Sequence, residues 1–128
     1  MAYLLDTHTF LWMRHAPQRL GPAAREICSD LDSELLLSLA SGWEMAIKLS
    51  IGKLRLPQPL RQVLVEARTL NGISTLPIDE THVLRVQHLP LHHRDPFDRL
   101  LAAQALEEGL MLVSGDAVFD AYAVSRVW

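Results

Sequence analysis

The stretch Leu110-Met111-Leu112-Val113-Ser114-Gly115-Asp116 is a short apolar run that ends on a carboxylate. A second run, Tyr3-Leu4-Leu5, ends in the same way on Asp6. Runs that are short and almost entirely apolar are typical of strands covered on both faces, as in a parallel sheet. Such sheets bind ligands outside the carboxyl ends of their strands. The two runs therefore predict strands whose acids converge on one crevice.

The rest of the chain alternates apolar runs with helical patterns. We place strands near residues 2–5, 35–39, 73–76, 110–114 and 124–127. Helical patterns lie between them, near residues 8–14, 22–31, 41–52, 59–70, 79–88 and 95–108. This alternation predicts an α/β fold with helices on both faces of a parallel sheet. With 128 residues and no linker-like segment, the chain is expected to form a single domain, residues 1–128.

The composition is that of a globular protein, with 49% hydrophobic and 21% charged residues. No apolar stretch reaches the roughly 18 residues that a membrane span requires, so no membrane association is expected. Asp6 interrupts the first apolar run and no basic segment precedes it, which argues against a signal peptide. The single cysteine, Cys28, excludes an intrachain disulfide framework. We therefore expect a cytoplasmic location.

The net charge of −3 is unusual for a nucleic-acid binder, but the charges are unevenly distributed. No acid lies between Glu44 and Glu66, and this interval contains four basic residues: Lys48, Lys53, Arg55 and Arg61. Such a local positive patch suits contact with phosphate. The alternative is a solvated helix face and loop without a ligand.

Two further acids join those at the strand ends. Glu44 follows the run at residues 35–39, and Asp98 opens the helical pattern at 95–108. Several carboxylates that lie close together do not all stay ionised without a cation. Hard oxygen ligands suit Mg²⁺ or Mn²⁺. Such ions activate water against a phosphodiester. The four acids therefore predict a metal-dependent nuclease.

Each acid also has a structural interpretation. Asp6 and Asp95 could cap the helices that follow them, and Asp98 could simply favour the helix dipole. Asp116 could be an ordinary turn residue. Glu44 is the last residue of Ser41-Gly42-Trp43-Glu44, which looks like a capping box, and it could also pair with Lys48 four residues on.

The spacing of the histidines does not indicate a metal site, and that of the tryptophans does not indicate a surface for stacking bases. His92 and His93 are adjacent, which is not the spacing of a zinc site. We expect the tryptophans to be core or interface residues rather than platforms for stacked bases: Trp12, Trp43 and Trp128.

Together, the acidic segments resemble a known family. Leu4-Leu5-Asp6-Thr7-His8 resembles the opening of PIN-domain proteins, and Ser41-x-Trp43-Glu44-x-x-x-Lys48 resembles the second motif of their toxin branch. The segment at 93–105, HRDPFDRLLAAQA, is similar to the third motif of VapC-type toxins. Leu112-Val113-Ser114-Gly115-Asp116 resembles the fourth, although a Thr and a less flexible residue are commoner in place of Ser114 and Gly115. The resemblance covers nearly the whole chain.

The resemblance implies a three-layer α/β/α sandwich with a five-stranded parallel sheet. It also implies a Mg²⁺- or Mn²⁺-dependent endoribonuclease that is the toxin of a type II toxin–antitoxin pair. The partner would be a VapB-like antitoxin, and a homodimer is expected. An amphipathic helix of the antitoxin would cover a groove near the helices at 8–14 and 41–50.

The resemblance also distributes roles among the residues. The acidic quartet that holds the ion would be Asp6, Glu44, Asp98 and Asp116. Second-rank site positions would be Asp95, Thr7 and Ser114. Flanking RNA phosphates would be held by Lys48, Arg94 and Arg99.

Two rival functions stand beside the nuclease. A phosphohydrolase could use Asp6 as its nucleophile, but enzymes of the haloacid-dehalogenase type place a second Asp two residues later, where this chain has His8. In the other rival, the chain is a non-catalytic α/β interaction module whose acids only cap helices.

Overall fold

The computed structural model describes residues 1–128 and contains one sheet of five parallel strands. The strands are β1 (Ala2–Leu5), β2 (Glu34–Ser38), β3 (Ile73–Leu76), β4 (Met111–Val113) and β5 (Arg126–Val127). The helices are α1 (Thr7–His15), α2 (Pro22–Ser29), α3 (Leu39–Ser50), α4 (Leu60–Thr69), α5 (Glu80–His88) and α6 (Pro96–Glu108). Short 3₁₀ turns lie at Pro17–Arg19 and Ala117–Ala121. The predicted α/β fold with a five-stranded parallel sheet is confirmed.

The strand order is β3-β2-β1-β4-β5, so the first strand is the central one. The chain builds outward from β1 to one edge through β2 and β3 and then returns to the other side of β1 with β4 and β5. Leu5 is in register with both Leu37 and Val113, so the three central strands end at the same level. The order reverses between β1 and β4, and a crevice at the carboxyl ends is expected at this point.

The side chains of the central strands alternate between two cores, as the two-residue period of a strand requires. Leu5, Leu37 and Val113 point into a cluster that also contains residues of the helices α1 to α4. Leu4 and Leu112 point to the opposite face and pack with residues of α6 and the turn at 117–121. Because both faces are covered, the strands are apolar on both sides and the architecture has three layers.

Helix α3 begins at Leu39, so the prediction of a capping box at Ser41-Gly42-Trp43-Glu44 is wrong. The N-cap is Ser38, whose Oγ accepts the backbone N–H of Ala40 at 3.0 Å. Ser38 pairs with Leu76 as the last residue of β2, so the sheet fixes where the helix can start. Glu44 therefore lies in the second turn of the helix and has no capping role.

Smaller differences concern the ends of the elements. Strands β4 and β5 are shorter than predicted, and α2 ends at Ser29 rather than near residue 31. Strand β5 pairs only with β4, because it lies at the edge of the sheet. None of the helices combines the length and the apolar character that crossing a membrane would require.

Candidate active site

Asp6 lies between β1 and α1, at the centre of the sheet's carboxyl edge. Its Oδ1 accepts the backbone N–H of Thr9 at 2.8 Å, so it does cap α1. The backbone N–H of Asp6 donates to the carbonyl of Val113 at 3.2 Å, which ties it to the end of β4. The side chain is only 6% exposed. The cap uses one carboxylate oxygen and leaves Oδ2 for a ligand.

Glu44 is brought to the same edge by α3 and is almost completely buried, with 3% exposure. Thr7 Oγ1 donates to Glu44 Oε1 at 2.6 Å and lies 2.9 Å from the hydroxyl of Ser41. Lys48 Nζ lies 2.7 Å from Glu44 Oε2. A buried carboxylate held at both oxygens has a fixed orientation, so Thr7 and Lys48 determine where Glu44 points.

Lys48 carries the positive charge closest to the acids. Its hydrogen bond to Glu44 is the main cause that raises the pKa of its ammonium group. The negative charges of Glu44, Asp95 and Asp98 act in the same direction. Lys48 is therefore a permanent cation beside the crevice, and 36% of its side chain is exposed to a ligand.

Asp98 occupies the first turn of α6, and Asp95 caps that helix by accepting the N–H of Phe97 at 2.8 Å. The pKa of the Asp98 carboxyl is raised to about 7, mainly by burial. Three neighbouring carboxylates act in the same direction, those of Asp95, Asp6 and Glu44, and His93 acts against them. A carboxylate raises the pKa of another one only when the two lie close together, so these four acids form one cluster.

Asp116 follows β4 and completes the cluster from the other side of β1. Its backbone N–H donates to the fully buried Oγ of Ser114 at 3.0 Å. Its Oδ1 accepts the N–H of Val118 at 3.0 Å, which starts the turn at 117–121. Asp6 and Asp116 line the same cleft. The four acids of the predicted quartet thus surround one space.

His93 belongs to this cluster, although its spacing did not suggest it. Its Nε2 lies 2.9 Å from Asp98 Oδ2 and 3.1 Å from Asp116 Oδ2. Its Nδ1 accepts the backbone N–H of Asp95 at 3.1 Å, so the proton of the neutral ring is on Nε2 and is shared with the two carboxylates. The sequence did contain a signal, because His93 lies only a few residues before Asp95 and Asp98. The adjacent pair His92-His93 was judged by the spacing of zinc sites instead, so this signal was not used.

The two arginines of the same segment differ. Arg99 donates to the hydroxyl of Tyr122 and to three backbone carbonyls near the end of α5, those of Val86, Leu89 and Pro90. Its guanidinium therefore fastens α5 to α6, which differs from the predicted contact with RNA phosphate. Arg94 is exposed and stays available for such a contact.

The donor set fits a divalent cation. The metal-ligating atoms of His93, Asp98 and Asp116 all lie within 4.8 Å of one another. The pKa of about 7 for Asp98 shows how strongly its surroundings oppose a further negative charge, which a cation would relieve. Carboxylate oxygens are the ligands that Mg²⁺ and Mn²⁺ prefer. The residues that would hold such an ion are Asp6, Glu44, Asp98 and Asp116.

The fold and this cluster of acids agree with what is found in known proteins. The profile of the PIN domain family matches residues 3–125, which include most of β1, all of β2 to β4 and all four acids. This chain belongs to the PIN domain family.

A relative with similar length is Ribonuclease VapC22 of Mycobacterium tuberculosis (strain ATCC 25618 / H37Rv). It is 35% identical over 117 residues, which cover 88% of this chain and 85% of that protein. The resemblance inferred from the sequence motifs is thereby confirmed.

Solved structures share the fold over almost the full chain. VapBC2 from Rickettsia felis, bound to a DNA fragment from its promoter, superposes with a TM-score of 0.71 and 15% identity, covering 99% of this chain and 98% of that chain. FitAcB from Neisseria gonorrhoeae superposes with a TM-score of 0.63 and 22% identity, covering 98% and 96%.

Proposed function

We propose that this protein is an endoribonuclease that hydrolyses RNA phosphodiester bonds with Mg²⁺ or Mn²⁺ held by Asp6, Glu44, Asp98 and Asp116. The observation that carries the proposal is the cluster of carboxylates around Asp98, whose pKa is raised to about 7 by burial first and by the charges of Asp95, Asp6 and Glu44 second. Its position at the switch point of the sheet, where ligands of such folds bind, supports the proposal. So does the 35% identity to a protein named Ribonuclease VapC22.

The residues divide the work as follows. Asp6 and Asp98 would be the main ligands, since their carboxylates are close enough for the charge of Asp6 to raise the pKa of Asp98. A bound ion would supply a more acidic water and would stabilise charge on the phosphate oxygens. Glu44 and Asp116 would hold ligand waters, or one of them would accept the proton of the attacking water. Lys48 and Arg94 would hold flanking phosphates.

Cleavage of a panel of tRNA, rRNA-loop and mRNA substrates tests this function. The purified protein would be assayed with Mg²⁺, with Mn²⁺ and with EDTA, and Asp98→Asn would be the matched variant. Discrete cuts that require the ion and disappear in the variant are the expected result. If cuts persist in EDTA or in Asp98→Asn, the quartet does not catalyse them.

We further propose that the protein is the toxin of a type II toxin–antitoxin pair and binds a VapB-like antitoxin. Solved structures that share this fold include VapBC and FitAB assemblies. A cavity of about 410 Å³ lies between α1, α3 and the segment at 53–57, where the docking groove was predicted. Its apolar residues are Leu11, Trp12, Met45, Leu54 and Leu56. These side chains would receive the apolar face of an antitoxin helix.

Growth of cells that express the chain tests the toxin role. Induction should arrest growth, and Asp98→Asn should remove the arrest at equal protein levels. Arrest by both forms would contradict a toxic effect that depends on cleavage.

A homodimer is also proposed, with the exposed side of α3 as its interface. This helix presents an apolar stripe at a spacing of four residues: Leu39, Trp43, Ile47 and Ile51. Trp43 is 59% exposed, although its ring packs edge-on against Phe97, with 5.1 Å between the ring centroids. Sedimentation of wild type and Ile47→Glu would test this, because a charge in the stripe should shift the protein to the monomer. A cytoplasmic location and action as a single domain stay predictions.

A further inference from the structure

A cleft beside the acids has a chemical character of its own. It has a volume of about 400 Å³, within the roughly 300–1,000 Å³ of small-molecule sites. Asp6 and Asp116 line one part of it. The remaining part is built by two tryptophans, a histidine and an arginine, and these residues are His8, Trp12, Arg19 and Trp128. We call these four residues the aromatic subsite.

The aromatic subsite is a continuous surface. The ring centroid of Trp12 lies 5.6 Å from that of His8 and 5.8 Å from that of Trp128. The guanidinium of Arg19 lies 5.7 Å from the Trp12 ring centroid and is itself exposed. Aromatic rings and a guanidinium plane are thus arranged side by side next to two carboxylates. Trp12 and Trp128 also contact the core, as predicted, but the cleft gives them a second surface.

Trp128 is held against two glycines. A Cβ on Gly21 would lie 2.6 Å from atoms of Trp128, and a Cβ on Gly115 would lie 3.0 Å from its indole. Neither position accommodates a larger residue without moving the indole. Gly115 immediately precedes Asp116, so the indole is fixed beside one of the site acids. This close approach gives a physical reason for Gly115, where the toxin motif usually has a less flexible residue.

These features are those that bind an unpaired nucleobase. Bases of single-stranded RNA stack on aromatic rings and on arginine planes, and every base has a face suited to this contact. A base paired in a helix has both faces covered by its neighbours. The acids at the other part of the cleft mark where the phosphate would lie, because an ion held by them would attract it.

We propose that the aromatic subsite binds the nucleobase next to the scissile phosphate. The proposal rests on the ribonuclease function proposed above and assigns a base-binding subsite to it. Trp128 and Arg19 provide the contact, and Gly21 and Gly115 position Trp128. They act on binding of the RNA strand and take no part in the hydrolysis itself.

The test uses a single-stranded RNA that the wild-type protein cuts, labelled with fluorescein. Its binding to Asp98→Asn is followed by anisotropy, and each nucleotide in turn is replaced by an abasic one. One abasic position beside the cut should weaken binding about tenfold, and the others should have smaller effects. Trp128→Leu, introduced into the Asp98→Asn protein, should weaken binding of the intact RNA by a similar factor. It should cause no additional loss of affinity for the RNA that is abasic beside the cut. Trp128→Phe should retain most of the affinity.

Arg19→Ala provides a second variant, because an exposed side chain can be removed without unfolding the protein. Loss of affinity for the intact RNA only, and not for the abasic one, supports the subsite. Equal binding of intact and abasic RNA, unchanged by Trp128→Leu and Arg19→Ala, would overturn it while the wild-type cuts leave the ribonuclease function standing. If the wild-type protein cuts no RNA of the panel, both proposals fail together.

Discussion

Helix α6 has a histidine and carboxylates near each of its ends, and the two groups contrast sharply. At its start, His93 Nε2 lies 2.9 Å from Asp98 and 3.1 Å from Asp116. At its end, the Nε2 atom of His82 lies 2.7 Å from Glu108. In both rings Nδ1 accepts a backbone N–H of a nearby aspartate, from Asp95 at 3.1 Å and from Asp79 at 2.9 Å.

The difference lies in the balance of groups around each ring. His82 is fully buried and has a partner for each nitrogen, Glu108 at Nε2 and the backbone N–H of Asp79 at Nδ1, so its ring is satisfied even though the carboxylate of Asp79 also lies within 4.8 Å. His93 meets two carboxylates, and burial together with the further carboxylates of Asp95, Asp6 and Glu44 raises the pKa of Asp98 to about 7. The two groups contain the same residue types, yet only the one at the start of α6 is short of positive charge. Excess acid in an open crevice therefore indicates a ligand site, and a satisfied buried pair indicates a structural tie.

The largest expected contrast comes from removing one charge in each group. Asp98→Asn should reduce RNA cleavage by more than the roughly 10–100-fold that loss of an outer partner of a metal ligand costs. Glu108→Gln should leave cleavage within about twofold of wild type, because Glu108 lies at the opposite end of α6 from the four acids of the site. Both variants would be assayed at equal concentration in Mn²⁺. A comparable loss in Glu108→Gln would show that the two groups do not differ as described.

Stability should respond in the opposite order. His82→Ala removes a fully buried ring and leaves its partners without a hydrogen bond, which should cost about 2–4 kcal/mol of unfolding free energy. His93→Ala removes a ring with 19% exposure and should cost about 1 kcal/mol or less. Urea unfolding at neutral pH measures both values. Equal costs for the two histidines would remove the distinction between a structural tie and an open site.

The pH dependence of the metal-free protein sharpens the same contrast. Since the pKa of Asp98 rises from 3.8 to about 7 on folding, the folded protein binds the extra proton between these values. Its contribution to stability is complete below about pH 4 and is lost as the pH rises through about 7. Asp98→Asn should therefore gain stability relative to wild type as the pH rises between these limits, up to about 4 kcal/mol near pH 7.

Thermal unfolding in EDTA over this pH range measures the effect. Addition of Mn²⁺ should stabilise wild type most at the higher pH, where the ion no longer competes with the proton. A difference between wild type and Asp98→Asn that does not change with pH would contradict the raised pKa.

The smallest expected effect concerns the positive charge beside the crevice. Lys48→Ala should weaken RNA binding by about 3–10-fold and reduce the slope of affinity against salt by about one unit. Affinity for Mn²⁺ should change little, because Lys48 is no ligand and Thr7 still holds the other oxygen of Glu44. Arg68→Ala is the control, since Arg68 is exposed and lies outside the positive patch between Glu44 and Glu66. A loss of Mn²⁺ affinity as large as the loss of RNA affinity would show that the main role of Lys48 is to orient Glu44 for the ion.

The positions of the two acids that follow strands could be predicted from the sequence. A short, almost entirely apolar run indicates a buried strand, and the residue after it lies at the carboxyl edge of the sheet. Asp6 and Asp116 follow from this rule alone. Glu44 and Asp98 lie on helices, where periodicity does not say which turn faces the sheet. Only their resemblance to family motifs placed them in the site.

Other features depended on contacts between residues far apart in the chain. Ser38 and Ser41 are both good caps, and the pairing of Ser38 with Leu76 in the sheet decided between them. The aromatic subsite depends on Trp128 lying against Gly21, a contact that no local pattern indicates. His93 was hidden because its partners are set by the meeting of α6 with the turn after β4.

The most direct test of the account is to locate the ion. Crystals soaked in Mn²⁺ and measured by anomalous diffraction would show where it binds. The account predicts a peak among Asp6, Asp98 and Asp116, and no peak at Asp79, His82 and Glu108. Absence of a peak in the crevice at saturating Mn²⁺, or a peak only at the second group, would contradict it.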